Sequence, residues 1–333
     1  MNVSNILNNP KKIIALTSLT LEEFKELLVP FRRRWTAAFK YFDTRGKRRK
    51  KPLTAQQILK DTKALNGAEL KLFFILHHFK VNGIQESSAV TFAIDQPQVS
   101  RWTKLLTPIL HQSIIDLHLQ PARTSDELVR LFRNRQHKDS KIDLQAAKTL
   151  MIDGTERPLS RNTDYETQKH DYSGKQSDHT IKNTVLTDEY QFIQFIGYTW
   201  RGAIHDKAMA DEELPEFNNK IFEKIILLKD TGYQSYEPSG IFKIQPVKKK
   251  RGQELTDFQK KYNTWCAKMR VGVENAIGKL KIPRILKDRT RGFEVEKSDQ
   301  IIAVLAGLSN LRVTKRKSTY EHALKRVRAN LTF

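Results

Sequence analysis

The chain has 333 residues, of which 39% are hydrophobic, and a formal net charge of +22. This length and hydrophobic content are enough for two or three domains with buried cores. The excess of Lys and Arg predicts attraction to a polyanion, because cations that neutralise phosphates release condensed counterions. Nucleic acid is the expected partner. Charge alone leaves open a ribosome-associated or merely soluble basic protein.

The single cysteine, Cys266, excludes an intramolecular disulfide and a cysteine-based zinc site. No apolar run reaches the roughly 18 residues of a membrane helix. The N-terminus also lacks the apolar segment that is typical of a signal peptide. We therefore expect an intracellular protein that does not enter a membrane.

The first predicted region, residues 1–52, is a helical arm that ends in a basic loop. Thr20 and Glu23 form a capping-box pattern ahead of apolar residues at helical spacing, and Pro30 should break or restart that helix. The loop Arg45–Lys51 consists of cations and one glycine. That composition is typical of a solvated loop or of a segment that contacts phosphates.

Residues 53–122 are predicted to form an all-α domain with a helix-turn-helix. The stretch ESSAVTFAIDQPQVSRWTKLLTPIL has the pattern of a short helix, a break at Asp95, and a second helix with Pro97 in its first turn. In a helix-turn-helix the second helix enters the major groove of DNA, whereas an ordinary helical hairpin is the alternative. The residues predicted to face DNA are Gln98, Ser100, Arg101 and Lys104.

The pattern changes after a predicted linker helix at residues 123–143. Short β-rich runs separated by turns and one helical insert follow, which indicates an α/β domain with a sheet over residues 144–312. The remaining residues, 313–333, are predicted to form a basic C-terminal tail.

Two of the apolar runs end alike. Asp153 follows one run and Asp230 follows another, each with a glycine nearby. If the two strands are buried parallel neighbours, both carboxylates lie at one edge of the sheet, where the sites of α/β proteins are built. Gly154 is expected to let the backbone turn away after the first strand.

A third carboxylate is expected on a long helix that Pro283 ends. Arg270, Glu274 and Lys281 are spaced so that all three share one helix face. A surface stripe stabilised by ion pairs is the alternative for this helix alone. Carboxylates gathered at one place repel each other unless a cation neutralises them, and oxygen ligands select Mg²⁺ or Mn²⁺.

These motifs together resemble those of bacterial insertion-sequence transposases of the DDE class, of the insertion-sequence family five type, in the group related to Harbinger elements. The matching stretches are MIDGTERP, YETQKHDYSGKQSDHTIKN, GAIHDKAMADEE, KDTGYQ and RVGVENAIGKLK. The resemblance covers most of the chain. It implies a helix-turn-helix domain followed by a ribonuclease-H-like catalytic domain, a mixed sheet with flanking helices.

The resemblance also implies functional residues. Asp153, Asp230 and Glu274 would be the metal ligands for two Mg²⁺ or Mn²⁺ ions. Arg270 and Lys281 match the family's terminal signature, whereas the tyrosine position of that signature is Ala267 here. The phenol is therefore missing, while the metal ligands are present.

The implied function is that of a transposase which binds the ends of its element, cleaves DNA with a metal-activated water, and joins the 3′-hydroxyl to target DNA. Both ends must be held at once, so we expect at least a homodimer on double-stranded DNA, in the bacterial cytoplasm with the nucleoid. The alternatives are a nuclease of the same fold without strand transfer and a DNA-binding protein whose catalytic domain is only a scaffold.

Four further residues belong to these motifs. Lys175 and Lys182 are expected to hold DNA at the active site. Asp206 is interpreted as the N-cap of a helix in preference to a metal ligand. Glu156 is expected either to support the site or to pair with Arg157 in solvent.

Overall fold

The protein is described from a computed structural model that covers residues 6, 8–59, 65–135, 149–214, 216–291 and 295–316. The basic tail predicted at residues 313–333 therefore lies largely outside the described residues, as does the second half of the predicted linker. The described residues divide into two compact units. The first falls within Met1–Gln120, Lys281–Asp288 and Gln300–Arg312, and the second within Pro121–Leu280, Arg289–Asp299 and Val313–Phe333.

The first unit is helical. The middle of its helix Gly67–Val81 is apolar on several sides, and the consecutive residues Leu72, Phe73, Phe74 and Ile75 are all fully buried. The capping box predicted at Thr20 is present, since the Glu23 N–H donates to the Thr20 hydroxyl over 3.2 Å. The helices of this unit are α1 (Pro10–Thr17), α2 (Leu21–Tyr41), α3 (Ala55–Leu59), α4 (Gly67–Val81), α5 (Gln85–Phe92) and α6 (Gln96–Asp116).

The second unit is built on a mixed sheet with the strand order β2-β3-β1-β6-β7, while β4 and β5 also pair with β3. The alternation of short apolar runs with helical segments predicted this α/β class. The strands are β1 (Thr149–Pro158), β2 (Tyr172–Ser173), β3 (Asp178–Asp188), β4 (Ile193–Ile196), β5 (Trp200–Arg201), β6 (Ile226–Leu228) and β7 (Phe242–Ile244). The helices are α7 (Ser125–Arg135), α8 (Tyr165–Asp171), α9 (Asp206–Glu213), α10 (Asp257–Leu280) and α11 (Val295–Lys315), the last of which also contributes to the first unit.

The central strand β1 does not end at Asp153, contrary to the prediction. It pairs with β6 in parallel only from Thr149 to Met151, but it continues as the antiparallel partner of β3 as far as Pro158. Asp153 thus lies just beyond the end of the parallel neighbour, in the middle of its own strand. Gly154 is paired within the ladder, so it does not turn the backbone away.

Helices cover both faces of the sheet. Alternate residues of β1, including Leu150 and Ile152, share a core with α7 and α9, whereas Met151 belongs to a smaller cluster with Val273 of α10. The described part of the predicted linker helix contributes Leu128 to the first of these cores and belongs to this unit. No helix among the described residues is both long and apolar enough to cross a bilayer.

Candidate active site

Asp153 and Asp230 lie side by side at one edge of the sheet. Strands β1 and β6 are parallel neighbours, with Met151 opposite Leu228, and each aspartate follows two residues later. Each carboxylate accepts the next backbone N–H, from Gly154 over 2.8 Å and from Thr231 over 2.7 Å. Two like charges are thereby held close together.

A guanidinium bridges these two carboxylates. Arg270 Nη1 donates to Asp230 Oδ1 over 3.0 Å, and Nη2 lies 3.5 Å from Asp153 Oδ2. The Arg270 side chain is only 12% exposed. Its helix can approach β1 because Gly272 has no side chain. A Cβ at Gly272 would lie 2.9 Å from Met151 Cε.

The charge state of Asp153 depends on its burial. Burial raises the pKa of Asp153, and Asp230 raises it further. Arg270, the Gly154 N–H and, to a smaller extent, Lys175 lower the pKa again. Burial thus opposes ionisation of Asp153, and the neighbouring cations favour it.

Asp206 also lies at this edge, and its interpretation as an N-cap is wrong. The N-cap of α9 is His205, and Asp206 is the first residue of the helix. A Cβ at Gly154 would lie 3.3 Å from the Asp206 Cγ, and one at Gly232 would lie 3.7 Å from Oδ2. Both glycines closely follow an aspartate of the pair, and the missing side chain of Gly154 eases the close approach of the third carboxylate.

Lys182 is buried beside Asp206. Its ammonium donates to the Ile204 carbonyl over 3.1 Å and lies 3.5 Å from Asp206 Oδ1 and 3.6 Å from Glu156 Oε1. Contact with DNA would require Lys182 to exchange these partners. Lys175, in contrast, is exposed between β2 and β3.

Glu156 does not pair with Arg157 in solvent, contrary to one of the two interpretations. Successive residues of β1 point to opposite faces of the sheet, so the two side chains diverge. Glu156 accepts the Thr180 hydroxyl over 2.9 Å, whereas Arg157 is buried and donates to Asn183 over 2.8 Å. Glu156 instead supports Lys182.

A buried phenol lies among the carboxylates. Tyr233 is 1% exposed, and within the described residues its hydroxyl has no hydrogen-bond partner. Burial raises the pKa of Tyr233 well above its usual value, and the charges of Asp206, Asp153, Glu213 and Asp230 raise it further. Tyr233 lies in the stretch KDTGYQ, but nothing in the sequence indicated a role of its own for this residue.

Glu274 and Lys281 are placed differently from the pair of aspartates. Glu274 is exposed on α10, one turn after Arg270. Lys281 is the first residue after α10, which ends at Leu280, so its place on the same face as Arg270 and Glu274 stays a prediction. The helix ends early since the residue before Pro283 disfavours helical conformation.

The donor set fits a divalent cation. Asp153, Asp206 and Asp230 offer only carboxylate oxygens, which suit Mg²⁺ and Mn²⁺. Arg270 already places a positive charge between two of them, as a metal ion would. Among the described residues, no three acidic, His or Cys side chains converge closely enough to coordinate a metal in this conformation.

Comparison with known proteins identifies the segment that contains this site. Residues 152–310 match the family model described as DDE superfamily endonuclease. A stretch of 143 residues, 43% of the chain, is 31% identical to a probable transposase for insertion sequence element IS702 from Microchaete diplosiphon. The resemblance to bacterial insertion-sequence transposases of the DDE class is confirmed.

The match to the transposase covers only part of each of the two proteins. The chain spans about half, 49%, of the length of that curated relative. No solved structure matches the chain. The matched segment contains Asp153, Asp206, Asp230, Arg270 and Glu274, so the whole sheet-edge site lies within it.

The residues predicted to face DNA lie on α6, in the first unit. Ser100, Arg101 and Lys104 are exposed. Gln98 is half-buried and its side-chain oxygen accepts the Asp95 N–H over 3.1 Å, so it caps the helix.

Proposed function

We propose that this protein is a DNA transposase that binds the ends of its element, cleaves DNA with a metal-activated water and joins the 3′-hydroxyl to target DNA. The observation that carries the proposal is the pair Asp153 and Asp230 on adjacent parallel strands, bridged by Arg270. The match of this segment to DDE superfamily endonucleases supports it. Placement in insertion-sequence family five stays a prediction.

In this proposal Asp153, Asp230 and Glu274 hold two Mg²⁺ or Mn²⁺ ions. When bound, the ions supply the Lewis acidity that activates a water and stabilises negative charge on the scissile phosphate. Glu274 is exposed, so its carboxylate can be reached from outside the protein. Asp153 and Asp230 are fixed by their backbone N–H contacts, which limits how far they must move to accept a cation.

Cations of the chain would position the DNA. Arg270 presents a planar guanidinium, which suits the oxygens of a phosphate as well as those of a carboxylate. Lys175 is exposed, and its charge acts on Asp153. Both residues could therefore neutralise the backbone next to the scissile bond without any covalent bond between protein and DNA.

Recognition of double-stranded DNA is assigned to a helix-turn-helix formed by α5 and α6. The two helices are separated by a short turn in which Ala93 has a positive φ of 51°. Beyond that turn α6 presents Ser100, Arg101 and Lys104 outward, while Val99 and Trp102 are buried. This pattern supports a helix that packs on one face and reads DNA with the other.

Replacing one outward residue tests this assignment. We expect Arg101→Ala to weaken binding to the cognate end by roughly 1–3 kcal/mol, with little change on random DNA, if the residue reads a base. Gln98→Ala is a poorer test because it also removes a helix cap. An equal loss on random DNA would make Arg101 a phosphate contact, and no loss would move recognition elsewhere.

An assay that measures both joining and nicking of DNA separates the proposed function from its alternatives. With a pre-cut element end, Mg²⁺ and a target plasmid, a transposase joins the end to the target. A nuclease without strand transfer nicks the plasmid but leaves the end unjoined. A protein that binds DNA and neither cuts nor joins would contain only a scaffold domain. Size measurements on paired ends would test the proposed homodimer, and imaging in bacterial cells would test association with the nucleoid.

A further inference from the structure

The position of Asp206 assigns it to the same centre as Asp153 and Asp230. Its carboxylate is 14% exposed and fills the space above Gly154, where a Cβ would lie 3.3 Å from the Asp206 Cγ. It also lies next to Gly232, where a Cβ would be 3.7 Å from Oδ2. Acidic side chains from β1, from the start of α9 and from the end of β6 thus lie at one edge of the sheet, although among the described residues no three such side chains converge closely enough to coordinate a metal in this conformation.

Tyr233 provides an independent observation about this place. Its hydroxyl is a buried polar group that has no hydrogen-bond partner among the described residues, which is costly unless a ligand or water completes it. The charged groups that act on this phenol include Asp206, Asp153 and Asp230. The hydroxyl is therefore a buried donor, near enough to the three carboxylates to feel their charges, that a ligand or water would complete.

Lys182 offers a competing explanation for Asp206. Its buried ammonium lies 3.5 Å from Asp206 Oδ1 and also pairs with Glu156, so Asp206 could simply be the partner of a structural lysine. One lysine, however, faces two carboxylates here, and one arginine bridges two others. The edge of the sheet keeps an excess of negative charge in a strongly basic protein, which a divalent cation would neutralise.

We propose that Asp206 is a further carboxylate ligand of the divalent-metal centre, and that Lys182 is the internal cation that holds it while no metal is bound. This inference rests on the proposed metal-dependent function. It adds to the expected ligands a residue whose carboxylate approaches the site through the gap at Gly154. Glu274 then completes the centre from the exposed side.

Metal binding without DNA tests the assignment directly. Mn²⁺ binding to the full-length protein is measured by titration calorimetry. Asp206→Asn should weaken Mn²⁺ binding at least about tenfold, since loss of even an outer-sphere partner lowers metal affinity by that factor. Lys182→Met should bind Mn²⁺ as tightly as the wild type or more tightly, because it removes a competing cation. Asp211→Asn is the matched control on the same helix, where the residue is exposed and pairs only with a solvent-facing Lys207.

The results distinguish failure of the Asp206 assignment from failure of the proposed metal-dependent function. If Asp206 were only a structural partner of Lys182, both single variants would lose thermal stability alike and Asp206→Asn would keep its Mn²⁺ affinity, which would overturn the inference. If Asp153→Asn also binds Mn²⁺ like the wild type, the metal-dependent function itself fails. Should Asp206→Asn not fold, the double variant Asp206→Asn/Lys182→Met removes the pair together. Unchanged Mn²⁺ affinity in that protein would equally overturn the assignment.

Discussion

Two polar clusters involve residues of β1, and they differ in how their charges are balanced. Around Arg157, two guanidinium groups are held by neutral acceptors and, in the case of Arg123, by one carboxylate. Arg157 donates to the Ser298 carbonyl and to Asn183, while Arg123 binds Asp299 through two contacts of 2.6 and 2.7 Å. The second cluster is the sheet edge, where acids outnumber cations.

The difference separates a structural cluster from a candidate ligand site. Each guanidinium of the first cluster is fixed by acceptors from several parts of the second unit, which rigidifies the packing of β1. At the sheet edge, Asp153 and Asp230 depend on one guanidinium, with one contact of 3.0 Å and one of 3.5 Å. A divalent cation can replace such a weak bridge, whereas the Asp299 carboxylate of the first cluster is already held by Arg123 through two short contacts.

The largest effect is expected from the carboxylates. Asp153→Asn, Asp230→Asn and Glu274→Gln should each lower the rate of DNA cleavage by several orders of magnitude and spare DNA binding. Each substitution removes a ligand charge with little change in shape, and Lewis-acid stabilisation is worth several kcal/mol. Cleavage of labelled element ends and gel-shift assays on the same preparations measure both quantities.

The control for this series is Asp211→Asn, which changes an exposed acid by the same chemistry. Mg²⁺-dependent nicking retained by one of the three variants would remove that residue from the centre. Glu274 is the sharpest case because it is exposed, whereas both aspartates are held by backbone N–H groups.

The structural cluster should respond in the opposite way. Arg157→Met should lower the free energy of unfolding by roughly 3 kcal/mol, because breaking a buried charged network leaves its partners unpaired. Urea denaturation measures this loss, and Mn²⁺ affinity of the folded protein should not change. Arg161→Met, at an exposed position, should cost less than about 0.5 kcal/mol. A stable Arg157→Met protein with weak metal binding would reverse the roles of the two clusters.

Sequence reasoning missed the first of these clusters, since it placed Arg157 in solvent, and predicted part of the second. The aspartates were predictable because each follows an apolar run with a glycine nearby, and parallel strands bring such ends together. Asp206 was misread because an acid at a helix start has the same local pattern as an N-cap. Its approach to Gly154 depends on residues distant in sequence, which no local pattern encodes.

Charge was a weaker guide than strand geometry. Lys182 was expected to hold DNA since it is a cation between two acidic motifs, yet its ammonium is buried against Asp206 and Glu156. The mixed α/β class was predictable from the alternation of elements. The continuation of β1 past Asp153 was not, because its pairing with β3 depends on tertiary contacts.

A smaller effect is expected from Arg270, which separates its two possible roles. Arg270→Met should slow joining of a pre-cut end about tenfold or more if the guanidinium pairs with a phosphate oxygen in the transition state. The same substitution should tighten Mn²⁺ binding without DNA, because the bridge between Asp153 and Asp230 is gone. Lys281→Met tests the second cation of the signature in the same joining assay.

The controls for Arg270 use its neighbours. Lys175→Met removes a cation that also acts on Asp153 but is exposed, so any general effect of charge appears there as well. Arg270→Lys keeps the charge and loses the planar bridge. Normal joining rates for Arg270→Met and Lys281→Met would leave the signature without a mechanistic role beyond Glu274.

The smallest expected effect is a pH dependence that Asp153 imposes on stability. Burial raises the pKa of Asp153 above its usual 3.8, so the folded protein keeps this proton at pH values where the unfolded chain has lost it. Without metal, the stability contributed by the protonated form is therefore present at low pH and is lost as pH rises through the raised pKa. Asp153→Asn has no such proton, so its thermal midpoint should decline less over that pH range. Arg270→Met should move the decline to higher pH, because Arg270 is the largest of the influences that lower this pKa.

With Mg²⁺ present the sign of this pH dependence reverses, since the ion competes with the proton and stabilises only the ionised form of Asp153. The thermal midpoints of the wild type and of Asp153→Asn are measured across acidic pH, with and without Mg²⁺. If the two curves run parallel under both conditions, the Asp153 carboxylate is not a buried group whose ionisation is coupled to cation binding.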